Sequence, residues 1–222
     1  MVRTSRIRHA AAALVLALGA ASAAQAQEDI KVGVIYDQTG PFAAAGSVNA
    51  SIGTQIAIDM INERGGVEGR KIAPITVDAQ SKVDVAINVA ERLLNEEKVD
   101  LIMGVYSSAQ CMPMASKVDA AKKFMWANVC ISSAVFKDRG LQYVFRAQVH
   151  SDQYGKLSCD FVAANAEKKF GVPASELKVA IIHEDGPYGS GTANANHSAC
   201  EAAGLNIVHE EGYSASATDC LP

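Results

Sequence analysis

Beyond its first residues the chain has no cluster of basic side chains. It has no C-x2-C pair, and past residue 26 it has no long apolar stretch. Each absence excludes something. With 20 Lys and Arg against 24 Asp and Glu, a net charge of −4, it lacks the basic surface that nucleic-acid phosphates demand, so no nucleic-acid partner is expected. Without C-x2-C or a nearby His pair there is no zinc-ligand spacing. G-x-S-x-G, H-E-x-x-H and P-loop patterns are missing, and with them any obvious nucleophile, metalloprotease helix or nucleotide cradle. Gly186, Gly189 and Gly191 spell G-x-x-G-x-G, which is not the dinucleotide order. His183-Glu184-Asp185 reads as a solvated loop at a strand end rather than an acid–base pair, so neither catalysis nor a cofactor is expected. No later segment reaches the ~20 apolar residues that a bilayer crossing needs.

What is present begins at the N-terminus. Arg3, Arg6 and Arg8 precede an apolar run from Ala10 to about Leu18, and small residues end in Ala24-Gln25-Ala26. That order is a secretory signal peptide (residues 1–26) with an A-x-A cleavage site, and it implies an exported product. A membrane anchor would need a longer run. Cleavage removes three arginines and no acid, so the exported chain is more acidic still. Five cysteines follow: Cys111, Cys130, Cys159, Cys200 and Cys220. An oxidising compartment permits disulfides, and an odd count leaves one thiol over. The pairing does not follow from spacing; Cys111 with Cys130 and Cys159 with Cys200 are the pairs to test first.

Along the chain, strands alternate with helices. Ile30–Asp37 alternates and is β-branched, as are 70–79, 99–103, 124–129, the short 143–147, 177–183 and 206–210. Between them, Val48, Ile52, Ile56 and Met60 form an apolar helical stripe, widened by Ala57 and Ile61, that stops at Gly65-Gly66. Ser81 sits where an N-cap belongs, ahead of the stripe Val83, Ala86, Ile87, Ala90, Leu93, Leu94. Helices are expected over 109–123, with Pro113 near the first turn, over Asp152–Phe170 and over Gly189–Ala203. The order implies an α/β protein of two Rossmann-like lobes, parallel sheets flanked by helices. The polar stretch 131–151 reads as the crossing, which divides an N-terminal lobe (27–147) from a partial C-terminal lobe (148–222). The second lobe is short of strands and the tail GYSASATDCLP ends abruptly, so it reads as incomplete. Such a chain leaves apolar sheet and helix faces uncovered and is expected to aggregate.

Open parallel sheets bind ligands beyond the carboxyl ends of their strands. Here those ends carry Asp37 to Pro41, Tyr106-Ser107-Ser108, Cys130-Ile131-Ser132-Ser133 and Asp185-Gly186-Pro187-Tyr188-Gly189. Ser107 and Ser108 lie at the start of a helix, where free N–H groups and the helix dipole favour an anion such as a carboxylate. Their hydroxyls add donors, and Ser132 supplies another from the next loop. Taken alone, either serine also fits plain N-capping. Tyr188 sits in a D-G-P-Y-G loop that cannot easily bury a ring.

At these residues the chain resembles the periplasmic solute-binding proteins of branched-chain amino acid ABC importers, of the type I periplasmic-binding fold. IKVGVIYDQTGPFAAAG, AIDMINERGGVEGRKI, VDLIMGVYSSA, YVFRAQVHSDQYG, VAIIHEDGPYGSG and EAAGLNIVHEEGYSASATD match the family's segments in order, over 29–219. The resemblance implies a monomeric component that captures a branched-chain amino acid, or another small carboxylate or amide, between two lobes and delivers it to an ABC permease. It places the ligand carboxylate and ammonium on Ser108 with Tyr106 and Ser107, a backbone carbonyl at Cys130, a hydroxyl at Ser132, and the closing aromatic at Tyr188. Two departures stand out. Ala45 replaces a frequent aromatic, which widens the site toward an aromatic acid. The family's acidic partner for the ammonium has no counterpart before Pro222. A ligand-sensing receptor of the same fold, or a truncated product without function, are the rival readings.

Overall fold

The computed structural model describes residues 28–214 and 217. The expected leader, residues 1–26, and Cys220 lie outside these. The first sheet is built from β1 (Ile30–Tyr36), β2 (Ile72–Asp78), β3 (Leu101–Gly104), β4 (Phe124–Ala127) and β5 (Val144–Arg146), all parallel in the order β2-β1-β3-β4-β5. The second sheet pairs β6 (Lys178–Glu184) with β7 (Asn206–Tyr213), also parallel. Helices α1 (Val48–Glu63), α2 (Val83–Asn95), α3 (Ser108–Ala120), α4 (Ser151–Ala164), α5 (Ala166–Phe170) and α6 (Pro187–Ala202) connect them. Strand–helix alternation thus produces the α/β architecture that the sequence implies, because a parallel return needs a crossover and a helix is the compact one. Among the described residues no helix is long and apolar enough to cross a membrane.

One face of the first sheet is sealed by α2 and α3. The α2 stripe buries Ala86, Ala90, Leu93 and Leu94, and α3 buries Cys111, Met114, Ala115 and Val118. Both pack on Ile35, Ile102, Met125, Ala127 and Val144 from alternate positions of the strands. Pro113 lies inside α3 rather than in its first turn.

The other face departs from expectation. The apolar stripe of α1 is not its buried side: Ile52 and Ile56 are each 53% exposed, and Met60 and Ile61 are exposed as well. The sheet instead receives Ala50, Thr54 and Ile58, again at spacing four but on the opposite side of the helix. Tyr36 decides this orientation. Its ring lies under α1, and its hydroxyl pairs with Thr54 Oγ1 at 2.9 Å. Asn128 Nδ2 donates to the same oxygen at 2.5 Å, so Thr54 Oγ1 takes the phenol proton, and burying the isoleucine stripe would leave that O–H unpaired at a cost of ~1–3 kcal/mol. Phe124, Trp126 and Phe145 on the same side of the sheet are also exposed, and with Ile30 and Leu101 they floor an apolar groove of about 450 Å³.

Beside the second sheet, Cys159 of α4 is bonded to Cys200 of α6, near Leu205 and the partly buried Val179 and Ile207. Closing this loop of 41 residues constrains the unfolded chain by ~4 kcal/mol on the loop-entropy view. A single helix over 152–170 does not form. Asn165 leaves helical geometry at φ −111° and turns its Nδ2 back to the Phe161 carbonyl, 2.8 Å away. Such local side-chain bonds compete with the helix ladder.

His197 of α6 ties this helix to β7 through Glu210 Oε2, 2.6 Å from Nδ1, with Glu201 Oε1 3.3 Å from Nε2. The Glu210 hydrogen bond raises the His197 pKa above the ordinary value. A raised imidazole contributes stability that is complete below the unfolded pKa of ~6.5 and is lost as pH rises through the folded value. The second lobe is therefore expected to lose stability from near neutrality upward, and His197→Gln to flatten that pH dependence. Denaturation at a series of pH values checks this.

Candidate ligand-binding site

The chain leaves β1 toward β2 on one side and returns to β3 on the other. The carboxyl ends of β1 and β3 therefore flank the topological switch point, where a crevice opens in such sheets. The loop after β1 is fixed by two aspartates. Asp78 at the end of β2 accepts from Gln38 N (2.8 Å), Thr39 Oγ1 (2.7 Å) and Gln80 N (2.8 Å). Burial pushes its carboxyl up, but these bonds outweigh it and hold the pKa below the ordinary value. Asp37, fully buried, accepts from Ser81 N and Gln110 Nε2, both at 2.7 Å, and its own N–H donates to Ser47 Oγ. Burial dominates here and raises its pKa. Gln110 is buried too, and its Oε1 has no hydrogen-bond partner among the described residues.

Ser81 is not the N-cap the sequence suggests. Lys82 holds that place without a side-chain bond. Ser81 Oγ instead accepts from Phe42 N and donates to the Thr39 carbonyl, both at 3.0 Å, tying the loop's two ends together.

Four of the six expected ligand residues meet at this rim. Ser107 caps α3 by accepting from Ala109 N. Ser108 is buried, and its Oγ accepts from Ser132 N at 3.1 Å. As an acceptor there, the oxygen keeps its own proton to donate. Ser132 Oγ accepts from Ala134 N and lies buried against the first turns of α6, where a Cβ added at Gly191 would come within 3.5 Å of it. Tyr106 spans the switch point and donates its hydroxyl to the Ala45 carbonyl at 2.7 Å, with the Phe42 ring 6.2 Å away.

Cys130 is bonded to Cys111, so a covalent link parallels the Ser108–Ser132 hydrogen bond between α3 and the β4 loop. The carbonyls on either side of it, Val129 and Ile131, accept from Gln148 Nε2 and Ser151 N. Tyr188 stands in the first turn of α6, not in the loop before it, and is 46% exposed. Its pKa is raised by burial first and then by Tyr106, Tyr154, Glu184 and Tyr213. Helix α6 thus brings the Tyr188 ring near enough to Tyr106 for the two phenols to interact.

Sequence reasoning overlooked Ser47, Gln110 and Arg146, which hold the loops rather than line them. A local signal exists only for Gln110, a polar residue one helical turn before Met114 on the otherwise apolar stripe Cys111, Met114, Ala115 and Val118. A separate groove of about 790 Å³ runs between the 133–137 turn, α4 and α6, past Ser133, Asp152, Lys156 and Asn194, and none of the six expected residues lines it. Among the described residues no group of three His, Cys, Asp or Glu is placed to hold a metal.

Comparisons with known proteins agree with this architecture. The family described as periplasmic binding protein matches residues 29–222. The chain is 34% identical over 207 residues to Leu/Ile/Val-binding protein homolog 7 of Brucella suis, covering 93% of this chain and 51% of the relative. It superimposes with a TM-score of 0.69 and 26% identity on an ABC transporter substrate-binding protein of Desulfitobacterium hafniense in complex with Leu, covering 84% of this chain and 51% of that one. A branched-chain amino acid transporter substrate-binding protein of Streptococcus pneumoniae, in complex with isoleucine, gives a TM-score of 0.74 at 24% identity over 86% of this chain and 51% of that one, a likeness of fold. The chain spans about half the length of the curated relatives it matches. By its strand order and by a family match over residues 29–222, the chain belongs to the periplasmic binding protein family.

Proposed function

We propose that the chain forms the solute-capturing part of an ABC importer and takes a small carboxylate-bearing ligand, with branched-chain amino acids first, at the rim between its lobes. The single observation that carries this reading is the pairing of Ser108 and Ser132 at the switch point, next to the α6 turn that bears Tyr188. The start of α3 directs unpaired N–H groups and the positive end of its dipole to the same place. Ser108 supplies a hydroxyl donor, and no backbone bond engages the Cys130 carbonyl among the described residues, leaving it to face an ammonium. Tyr106, Ser107, Cys130 and Ser132 form the first-lobe wall, and Tyr188 closes from the second. Closure follows from differential affinity, since a ligand contacts both walls only when the lobes are shut. Export through the 1–26 leader would put the site in the periplasm, facing a membrane permease.

Titration calorimetry with L-leucine tests the assignment. Ser108→Ala is expected to weaken binding by ~1–2 kcal/mol if its hydroxyl donates to the carboxylate. Heats identical to those of the parent chain would remove Ser108 from the site. The absence of any heat in the parent chain, with other amino acids and with aromatic acids as well, would defeat the reading.

A further inference from the structure

The loop that carries Ser132 is joined to the segment that leads into the second lobe by a continuous set of bonds. Gln148 Nε2 donates to the Val129 carbonyl at 2.7 Å. Ser151 N donates to the Ile131 carbonyl at 2.9 Å. Arg146 Nη1 donates to the Ser132 carbonyl at 2.9 Å. Ser133 N donates to Ser151 Oγ at 3.0 Å, and Ser133 Oγ to Asp152 Oδ1 at 2.7 Å. Ser151 and Asp152 open α4, the first helix of the second lobe.

Arg146 stands at the centre of this set. It is the last residue of β5, so its backbone belongs to the rigid first sheet. Its guanidinium lies 4.4 Å from the centre of the Phe136 ring, which fixes its plane. From there it holds the main chain of Ser132, whose N–H is bonded to Ser108.

We infer that Ser151 and Ser133 lock the 129–133 loop to the entry of α4 while Arg146, as a positioning residue, holds the same loop to β5, so that a ligand held at Ser132 acts on the orientation of the second lobe through that lock. This rests on the proposed binding reading, but the lock itself has its own observables. A ligand contact on a free loop would be absorbed by the loop. On a loop bonded at five places to the crossing, the same contact is passed to α4.

Amide hydrogen exchange of the unliganded chain tests the lock directly. Arg146→Gln should speed exchange at Ser132, Ser133 and Ser151 by about tenfold or more, the factor expected for one lost charge-assisted hydrogen bond. Amides of β1 should not change. Arg146→Lys, which keeps the charge without the planar fork, should restore part of the protection. Should Arg146→Gln fail to fold, Ser151→Ala loosens the same joint from the other side and should speed exchange at Ser133. Unchanged rates at these amides, or an equal acceleration in β1 that marks a merely global effect, overturn the inference. L-leucine titration of the parent chain is scored separately: no binding there defeats the functional reading and leaves the exchange result to decide the lock.

Discussion

Gly104→Ala is expected to lower the stability of the protein by about 4 kcal/mol. Gly104 ends β3 with φ +115°, and a Cβ placed there would lie 2.0 Å from the Ile35 carbonyl oxygen. Ile35 is the ladder partner of Gly104 in the centre of the first sheet, so the oxygen cannot retreat without parting β1 from β3. The backbone conformation costs an L-residue ~1–3 kcal/mol, and overpacking adds ~1–3 kcal/mol more. Against the ~5–15 kcal/mol that holds a typical domain, a loss of about 4 kcal/mol removes between a quarter and most of the margin. Urea titration followed by circular dichroism measures it. Gly53→Ala is the control. Gly53 lies inside α1 with nothing within 4 Å of its added Cβ, so alanine there should raise stability by ~0.5–1 kcal/mol. Equal midpoints for Gly104→Ala and the parent chain would show that the β1–β3 contact is not as tight as described.

Asp37→Ala is expected to cost about 3 kcal/mol, because it strands the half-buried Ser81 N–H and leaves the buried Gln110 Nε2 with only a 3.4 Å bond to the Lys82 carbonyl, at ~1–3 kcal/mol each. The loop from Gln38 to Ala45 would lose its inner anchor, so ligand binding should fall with stability. Asp37→Asn keeps an acceptor oxygen and should lose far less. The pH dependence separates the two roles. Burial raises the Asp37 pKa above its ordinary 3.8, so the folded state binds the proton more tightly than the unfolded one. Its contribution to stability therefore falls as pH rises from 3.8 through the raised value and is level beyond it. Asp37→Asn should remove that slope. Denaturant titrations across this acidic range check it, and an unchanged slope in Asp37→Asn would assign the dependence to another group.

Both residues lie where strands end, and this is where the sequence is least explicit. Asp37 and Gly104 appear in it as an acid and a glycine after apolar runs. Nothing local says that one is fully buried or that the other touches a neighbouring strand's carbonyl. The α1 stripe shows the same limit from the other side. Ile52, Ile56 and Met60 satisfy helical periodicity as well as any core face, yet the helix turns Ala50, Thr54 and Ile58 to the sheet because the Tyr36 hydroxyl lies there to be bonded. Periodicity reports that a helix has two unlike sides. Which side meets a partner depends on what the rest of the chain brings to it.

The residues alone determined the alternation of strands and helices, the parallel sheet with its loops at one rim, and the location of serines and a tyrosine at those loops. These follow from period-two and period-3.6 patterning and from turn chemistry, which act between near neighbours in the chain. Only the tertiary structure decided that Ser108 and Ser132 share a bond, that Arg146 ties one of them to β5, and that the isoleucine side of α1 faces outward. Each of these depends on groups separated by 14 to 24 positions in sequence, or on the balance between satisfying a buried hydroxyl and covering an apolar stripe. Such balances are set by packing in three dimensions and leave no mark on local spacing.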